Sequence, residues 1–101
     1  MKAVRVQYTV KPEFVDQNIV NIKAVMDSLK SNPIEGMFYS TYQLPDGNSF
    51  MHVNVARDGD TMNKLNDVEA FKKFRMALKG SGPVSPPNAE SLDFVGANWE
   101  M

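Results

Sequence analysis

The run Ser49–Met76, SFMHVNVARDGDTMNKLNDVEAFKKFRM, passes from one structural period to another. Residues 49–56 alternate, with Met51, Val53 and Val55 in one row and Phe50, His52 and Asn54 in the other. Period two with branched residues is the pattern of a strand with two unlike faces. Arg57-Asp58-Gly59-Asp60 breaks the alternation and supplies a helix-capping carboxylate. Met62 and Leu65 point to a short helix. Asn66-Asp67 separates it from a second, whose stripe is Val68, Phe71, Phe74, Arg75 and Leu78. His52 is the only histidine, so any imidazole chemistry belongs to this strand.

Upstream, Gly36–Leu44 alternates Phe38, Ser40 and Tyr42 with Met37, Tyr39, Thr41 and Gln43. Pro45-Asp46-Gly47-Asn48 then supplies a preset proline angle and a permissive glycine, predicting a hairpin into Ser49–Ala56. Ala3–Val10 alternates Val4, Val6, Tyr8 and Val10 with Arg5, Gln7 and Thr9, a first strand closed by Pro12. From Glu13 to Ser31, Val15, Ile19, Ile22, Met26 and Leu29 form one helical stripe, widened by Phe14 and Val25 and ended at Asn32-Pro33. Past Gly80, residues 80–89 (GSGPVSPPNA) read as an extended arm, either a lid or a dimer contact. Leu92–Met101 reads as the closing strand.

Composition removes several classes of function. The 101 residues fit a single domain, 1–101, large enough for one modest core. Eleven basic and twelve acidic residues leave a net charge of −1, which gives no reason to seek nucleic acid or an anionic membrane. No apolar run approaches a bilayer span, and MKAVRVQYTV alternates where a secretory signal would be continuous. Cysteine is absent, which excludes disulfides and thiolate sites. A cytoplasmic location is the default expectation. A lone histidine makes no metal site without other ligands, so no metal or cofactor is expected.

The order strand, helix, strand, strand, helix, strand predicts an α+β, ferredoxin-like βαββαβ fold, a four-stranded antiparallel sheet with helices on one face. Apolarity assigns Val4, Val6, Tyr8, Met51, Val53 and Val55 to the helix side. It assigns Arg5, Gln7, Thr9, Phe50, His52 and Asn54 to the open side. An uncovered face of mixed aromatic and polar groups is solvated or covered by a partner. A second copy is the economical partner, so a homodimer through the open sheet face is expected, with a cavity between two sheets.

The run FMHVNVARDGDTMNKLNDVEAFKKFRMAL, the proline-bearing loop after it and the closing SLDFVGANWEM resemble the dimeric α+β barrel superfamily, in particular its antibiotic biosynthesis monooxygenase-like family. The resemblance implies two sheets paired into a barrel, and a cofactor-independent oxygenase acting on a small aromatic or quinol-type compound. A haem-degrading branch uses an asparagine on the first strand and a histidine on the second helix. Gln7 or Thr9 and a histidine-free second helix depart from that pattern. In the oxygenase branch tryptophan, asparagine, tyrosine and arginine surround the substrate, which makes Trp99, Asn54, Tyr39 and Arg5 candidates by type. The alternative is a non-catalytic dimeric module that binds a small molecule or only packs shut.

Each candidate has a plain reading beside the chemical one. His52 is the candidate catalytic base, or simply a hydrogen-bonded histidine at a dimer-facing sheet. Asn54 and Gln7 orient a substrate oxygen or bond to each other. Arg5 holds an anionic substrate or makes a salt bridge. Tyr39, Phe50 and Trp99 complete the substrate-binding set, Tyr39 and Trp99 because each has a polar handle on an aromatic body. Phe71 and Phe74 are expected as core. An RNA platform is disfavoured because HVNV is not a basic-aromatic run. An acylphosphatase is disfavoured because no glycine-rich phosphate loop follows the first strand.

Overall fold

A computed structural model describes residues 1–100. Strand β1 (Lys2–Thr9) leads through a 3-10 turn at Pro12–Phe14 into α1 (Val15–Ser31). The hairpin β2 (Met37–Gln43) and β3 (Ser49–Ala56) follows. Then come α2 (Gly59–Asn63), a 3-10 turn at Lys64–Asp67, α3 (Glu69–Gly80) and β4 (Ser85–Leu92). The sheet order is β2-β3-β1-β4 and every pairing is antiparallel, the ferredoxin-like arrangement expected from the element order.

Local chemistry explains the element ends. The hairpin turns on Gly47, whose φ of 80° lies in the left-handed region that a side chain disfavours. Asp46 ties the loop together, its carboxylate accepting from the Asn48 and Ser49 amides and from the Ser49 hydroxyl. These donors hold its pKa below the usual carboxylate value. Asp58 caps α2 by accepting from the Thr61 amide at 2.8 Å. Between α2 and α3 the chain passes through extended Val68, whose side chain makes no capping bond.

Two expectations are corrected. The last strand is Ser85–Leu92, within and just beyond the expected arm, and Asp93–Glu100 forms no strand. Met101 of the expected strand lies outside the described residues. Pro86 and Pro87 are tolerated because β4 is an edge strand, and its register against β1 shifts between Gln7 and Thr9, where the prolines fall. The second correction concerns the phase of β3. Val4, Val6 and Tyr8 stand opposite Asn54, His52 and Phe50, and residues opposite each other share a face. Phe50, His52 and Asn54 are therefore on the helix side and buried. Met51, Val53 and Val55 share the open face with Arg5, Gln7, Phe38 and Tyr42.

The core joins Tyr8, Val10 and Phe50 of the sheet region to Ile22 and Val25 of α1 and Phe74 and Leu78 of α3. The Tyr8 and Phe50 rings stack 5.8 Å apart. Beyond β4 the chain returns across the sheet. Leu92 is level with Ala3 next to one edge, whereas Trp99 packs 4.7 Å from Phe38 on the other edge strand. Phe74→Ala is expected to lower unfolding free energy by ~3–5 kcal/mol, as deletion of a buried aromatic ring does. Phe94→Ala, at a half-exposed position, should stay within ~0.5 kcal/mol. Urea denaturation of both variants checks the placement of the closing strand.

Candidate functional site

Side chains of three strands meet under the helices. β1 contributes Tyr8, β2 Tyr39 and Thr41, and β3 His52 and Asn54. Tyr39 pairs with Asn54 and Thr41 with His52 across the β2–β3 ladder. α3 lays Phe71 and Phe74 over this row, and α1 brings Asn18 in from the other side. Between them lies a cavity of about 300 Å³. Its inner wall is Val4, Val6, Tyr8, Tyr39, His52 and Asn54, and its ceiling is Leu65, Phe71, Phe74 and Leu78. Exposed Asn63, Asn66 and Arg75 form one rim, with Pro87 and Ala89 of β4 opposite.

His52 is held at both ring nitrogens. Its Nε2 lies 2.8 Å from the Tyr8 hydroxyl, and its Nδ1 lies 2.6 Å from the Tyr39 hydroxyl and 3.0 Å from Thr41 Oγ1. Aromatic rings enclose it, with Tyr8 and Phe74 each 5.3 Å away between centroids. Burial without a carboxylate partner disfavours the charged form and lowers the His52 pKa to about 4. The imidazole is therefore neutral at pH 7. The same burial raises Tyr8 to about 12, against a lesser lowering by the Asn18 hydrogen bond. It also raises Tyr39, with the neighbouring Tyr8 adding to the effect. Both phenols keep their protons at neutral pH.

Asn54 is the exception to this satisfied network. It is buried (8% exposed) and lines the cavity, yet its Oδ1 has no hydrogen-bond partner among the described residues. An unpaired buried acceptor costs ~1–3 kcal/mol. Arg75 is the one charged group on the cavity lining, with its guanidinium 5.8 Å from the Phe71 centroid and 3.5 Å from Asn66 Oδ1.

Of the residues singled out in the sequence, the structure brings His52, Asn54 and Tyr39 together at the cavity. Phe50 lies deeper, packed in the core beside Tyr8. Arg5 and Gln7 are on the opposite face of the sheet, where Arg5 pairs with Glu90 at 3.3 Å. Trp99 lies against Phe38, away from the cavity. Phe71 and Phe74, expected as core, are also cavity ceiling.

Asn18, Tyr8, Thr41 and Arg75 were not among the expected site residues. A signal for Asn18 was present, since it sits three residues after Val15 and four before Ile22, a polar residue inside an apolar stripe. This cavity forms within a single chain, between sheet and helices. Among the described residues no three His, Asp or Glu side chains cluster as metal ligands. No described helix is long and apolar enough to cross a membrane.

The His52 pKa has a consequence for stability. The folded-state pKa is about 4 and the ordinary value 6.5. The unfolded chain therefore takes up a proton between those pH values while the folded chain does not. Stability from this group is present above pH 6.5 and falls as pH drops toward 4, by on the order of 3 kcal/mol. Chemical denaturation at pH 7 and pH 4.5 should show this loss in the native protein and its absence in His52→Leu. A wild-type His52 titrating at 6.5 by NMR would contradict the buried neutral imidazole.

No protein-family model matches the sequence, and no curated protein matches it significantly. Solved structures do match in fold. An antibiotic biosynthesis monooxygenase crystal structure is similar at TM-score 0.80 and 15% identity, covering 95% of this chain and all of that one (100%). Rv0793 from Mycobacterium tuberculosis is similar at TM-score 0.80 and 13% identity, over 97% of this chain and 98% of that one. SnoaB, a cofactor-independent oxygenase from Streptomyces nogalater, is similar at TM-score 0.71 and 15% identity, over 98% and 97%. The chain has the ferredoxin-like α+β fold of the antibiotic biosynthesis monooxygenase structures, the likeness that its sequence pattern implied.

Proposed function

We propose that the cavity binds a small two-ring phenolic or quinol-type compound, and that the protein is a cofactor-independent monooxygenase-like enzyme acting on it. The observation that carries this reading is Asn54, a cavity-lining residue with a buried, unpaired Oδ1, opposite Tyr39 across the β2–β3 ladder in a cavity walled mainly by apolar and aromatic side chains. Size sets the ligand class. Engineered apolar cavities of about 150 Å³ accept one benzene, so about 300 Å³ suits two fused rings. SnoaB, which shares the fold, is a cofactor-independent oxygenase.

In this reading Asn54 turns its buried Oδ1 toward the cavity to take a hydrogen bond from a ligand hydroxyl, and Tyr39 faces a neighbouring ligand oxygen. Phe71 and Phe74 hold the ring plane and exclude water. Arg75 at the rim favours the anionic form of the ligand. An electron-rich anion reacts with O₂ without an external reductant if the substrate supplies the electrons. A ring C–H and the phenol O–H give up their hydrogens as a second carbonyl forms, one oxygen atom is retained at that carbon and the other leaves as water with those hydrogens. His52 reaches the ligand through Tyr39. As a base with pKa about 4 it takes no proton to completion from a phenol near pKa ~10. Its part is to hold the Tyr39 hydroxyl and share the proton along the bonded chain.

That saturation of His52 favours a second reading, a binding module without turnover, since no free base lines the cavity. Oxygen uptake with a panel of naphthalene-type quinols, run beside ligand-induced thermal stabilisation, separates the two. The enzyme reading expects uptake, with Asn54→Ala weakening binding about tenfold, one buried hydrogen bond's worth. Stabilisation without uptake selects the binding module. Absence of both defeats the ligand reading.

We also propose that the open face pairs with a second copy. Met51, Val53 and Val55 are half-buried there with no helix over them, beside exposed Phe38 and Tyr42. An apolar row on an uncovered sheet face calls for a partner, and two-fold self-association is the commonest solution. Light scattering should give twice the chain mass for the native protein and the single-chain mass for Val53→Asp, with unchanged circular dichroism. A native monomer at micromolar concentration would remove the dimer.

A further inference from the structure

Asn18 does not line the cavity, yet it is fully buried beside the groups that do. Its Nδ2 donates to the Tyr8 hydroxyl at 3.0 Å, and its Oδ1 has no partner among the described residues. A phenol carries one proton. With its oxygen taken by the Asn18 amide, Tyr8 directs that proton to its other neighbour, His52 Nε2. A neutral imidazole that accepts at Nε2 carries its own proton on Nδ1. Nδ1 faces the hydroxyl oxygens of Tyr39 and Thr41, so it donates to them. The Tyr39 proton is then left over for a group in the cavity.

Turning the Asn18 amide round reverses every step. Tyr8 would donate to Asn18 and accept from Nε2–H. The Tyr39 and Thr41 hydroxyls would then compete for one lone pair on Nδ1, and the cavity would face an oxygen without a spare proton. Turned either way, the Asn18 amide leaves one of its two polar atoms without a partner, so the pairing at Asn18 by itself does not decide between the two directions. The direction with Asn18 donating is favoured because Nδ1–H can be shared by both hydroxyl oxygens.

We infer that Asn18 is a positioning residue that fixes the direction of hydrogen bonding along Tyr8, His52 and Tyr39, so that Tyr39 presents a donor to the cavity. Opposite Tyr39 across the β2–β3 ladder, Asn54 holds a buried, unpaired acceptor. Together they select a ligand with a carbonyl or phenolate oxygen next to an O–H or N–H group. This ligand preference rests on the proposed binding role of the cavity. The direction of the chain does not.

Because His52 is the only histidine, ¹⁵N-histidine labelling gives one unambiguous ring in the ligand-free protein. The expected spectrum has Nδ1 protonated and Nε2 unprotonated, and an Nε2–H tautomer in the native protein overturns the inference. In Asn18→Leu the single tautomer should be lost, with Nε2–H appearing. Retention of Nδ1–H alone would show that Asn18 does not set the direction. Should that variant not fold, Tyr8→Phe keeps the ring, cuts the same link and is read in the same way.

A binding arm uses 1-tetralone, which only accepts, and 1-naphthol, which donates. Asn18→Leu (or Tyr8→Phe) should weaken 1-tetralone about tenfold and change 1-naphthol by much less. Equal weakening of both overturns the donor role of Tyr39. If neither probe binds the native protein, the ligand preference falls with the cavity reading, and the tautomer result still decides the role of Asn18.

Discussion

The pairing of β1 with β3 is the constraint from which the rest of the interior follows. By placing Val6 opposite His52 and Tyr8 opposite Phe50, it turns the polar row of β3 toward the helices. Because strand side chains alternate strictly, a slip of one residue would exchange the two faces entirely. In that alternative the valines would be buried and the histidine would face outward. Next to the hairpin the register is tied by the Thr9 and Ser49 hydroxyls at 2.7 Å and by the Val10 amide donating to the Asn48 carbonyl at 2.9 Å.

A buried polar row is tolerated only when its members satisfy one another, because an unpaired group loses water without compensation. Here Asn18, Tyr8, His52, Tyr39 and Thr41 form one connected set drawn from α1 and three strands. Such a set locates α1 against the sheet more specifically than apolar contact does, since hydrogen bonds have direction and apolar burial has little. It also keeps His52 neutral, as no carboxylate is bonded to it. The two unpaired amide oxygens, on Asn18 and Asn54, mark the places where this arrangement is incomplete. Asn54 lines the cavity, which is why the ligand reading is built on it.

The other side of the sheet has the opposite character. Its apolar residues are half-exposed, its Arg5–Glu90 pair is a surface contact worth little to stability, and β4 is exposed along its whole length. The chain thus places its polar chemistry inside and presents an apolar face outward. That inversion is stable for a protein whose second face is covered, and it motivates the proposed dimer.

The sequence by itself determined the order of elements, the hairpin, both long helices and, through these, the ferredoxin-like fold. Those features depend on local periodicity, proline and glycine geometry, and the right-handedness of crossovers. Tertiary structure alone decided which face of β3 points inward. Alternation reveals that a strand has two faces, but apolarity chose the valine row as the buried one, and pairing with β1 chose the other. For the same reason Arg5 and Gln7 were read into a site they do not share, while Tyr8 was read only as core. Strand β4 was hidden by Pro86 and Pro87, which look like loop residues until an edge position removes the need for their missing donors. Asn18 was hidden within an apolar stripe, because what makes an asparagine tolerable there is a tyrosine on another element. A cavity is likewise a property of several elements meeting, and no local pattern carries its volume.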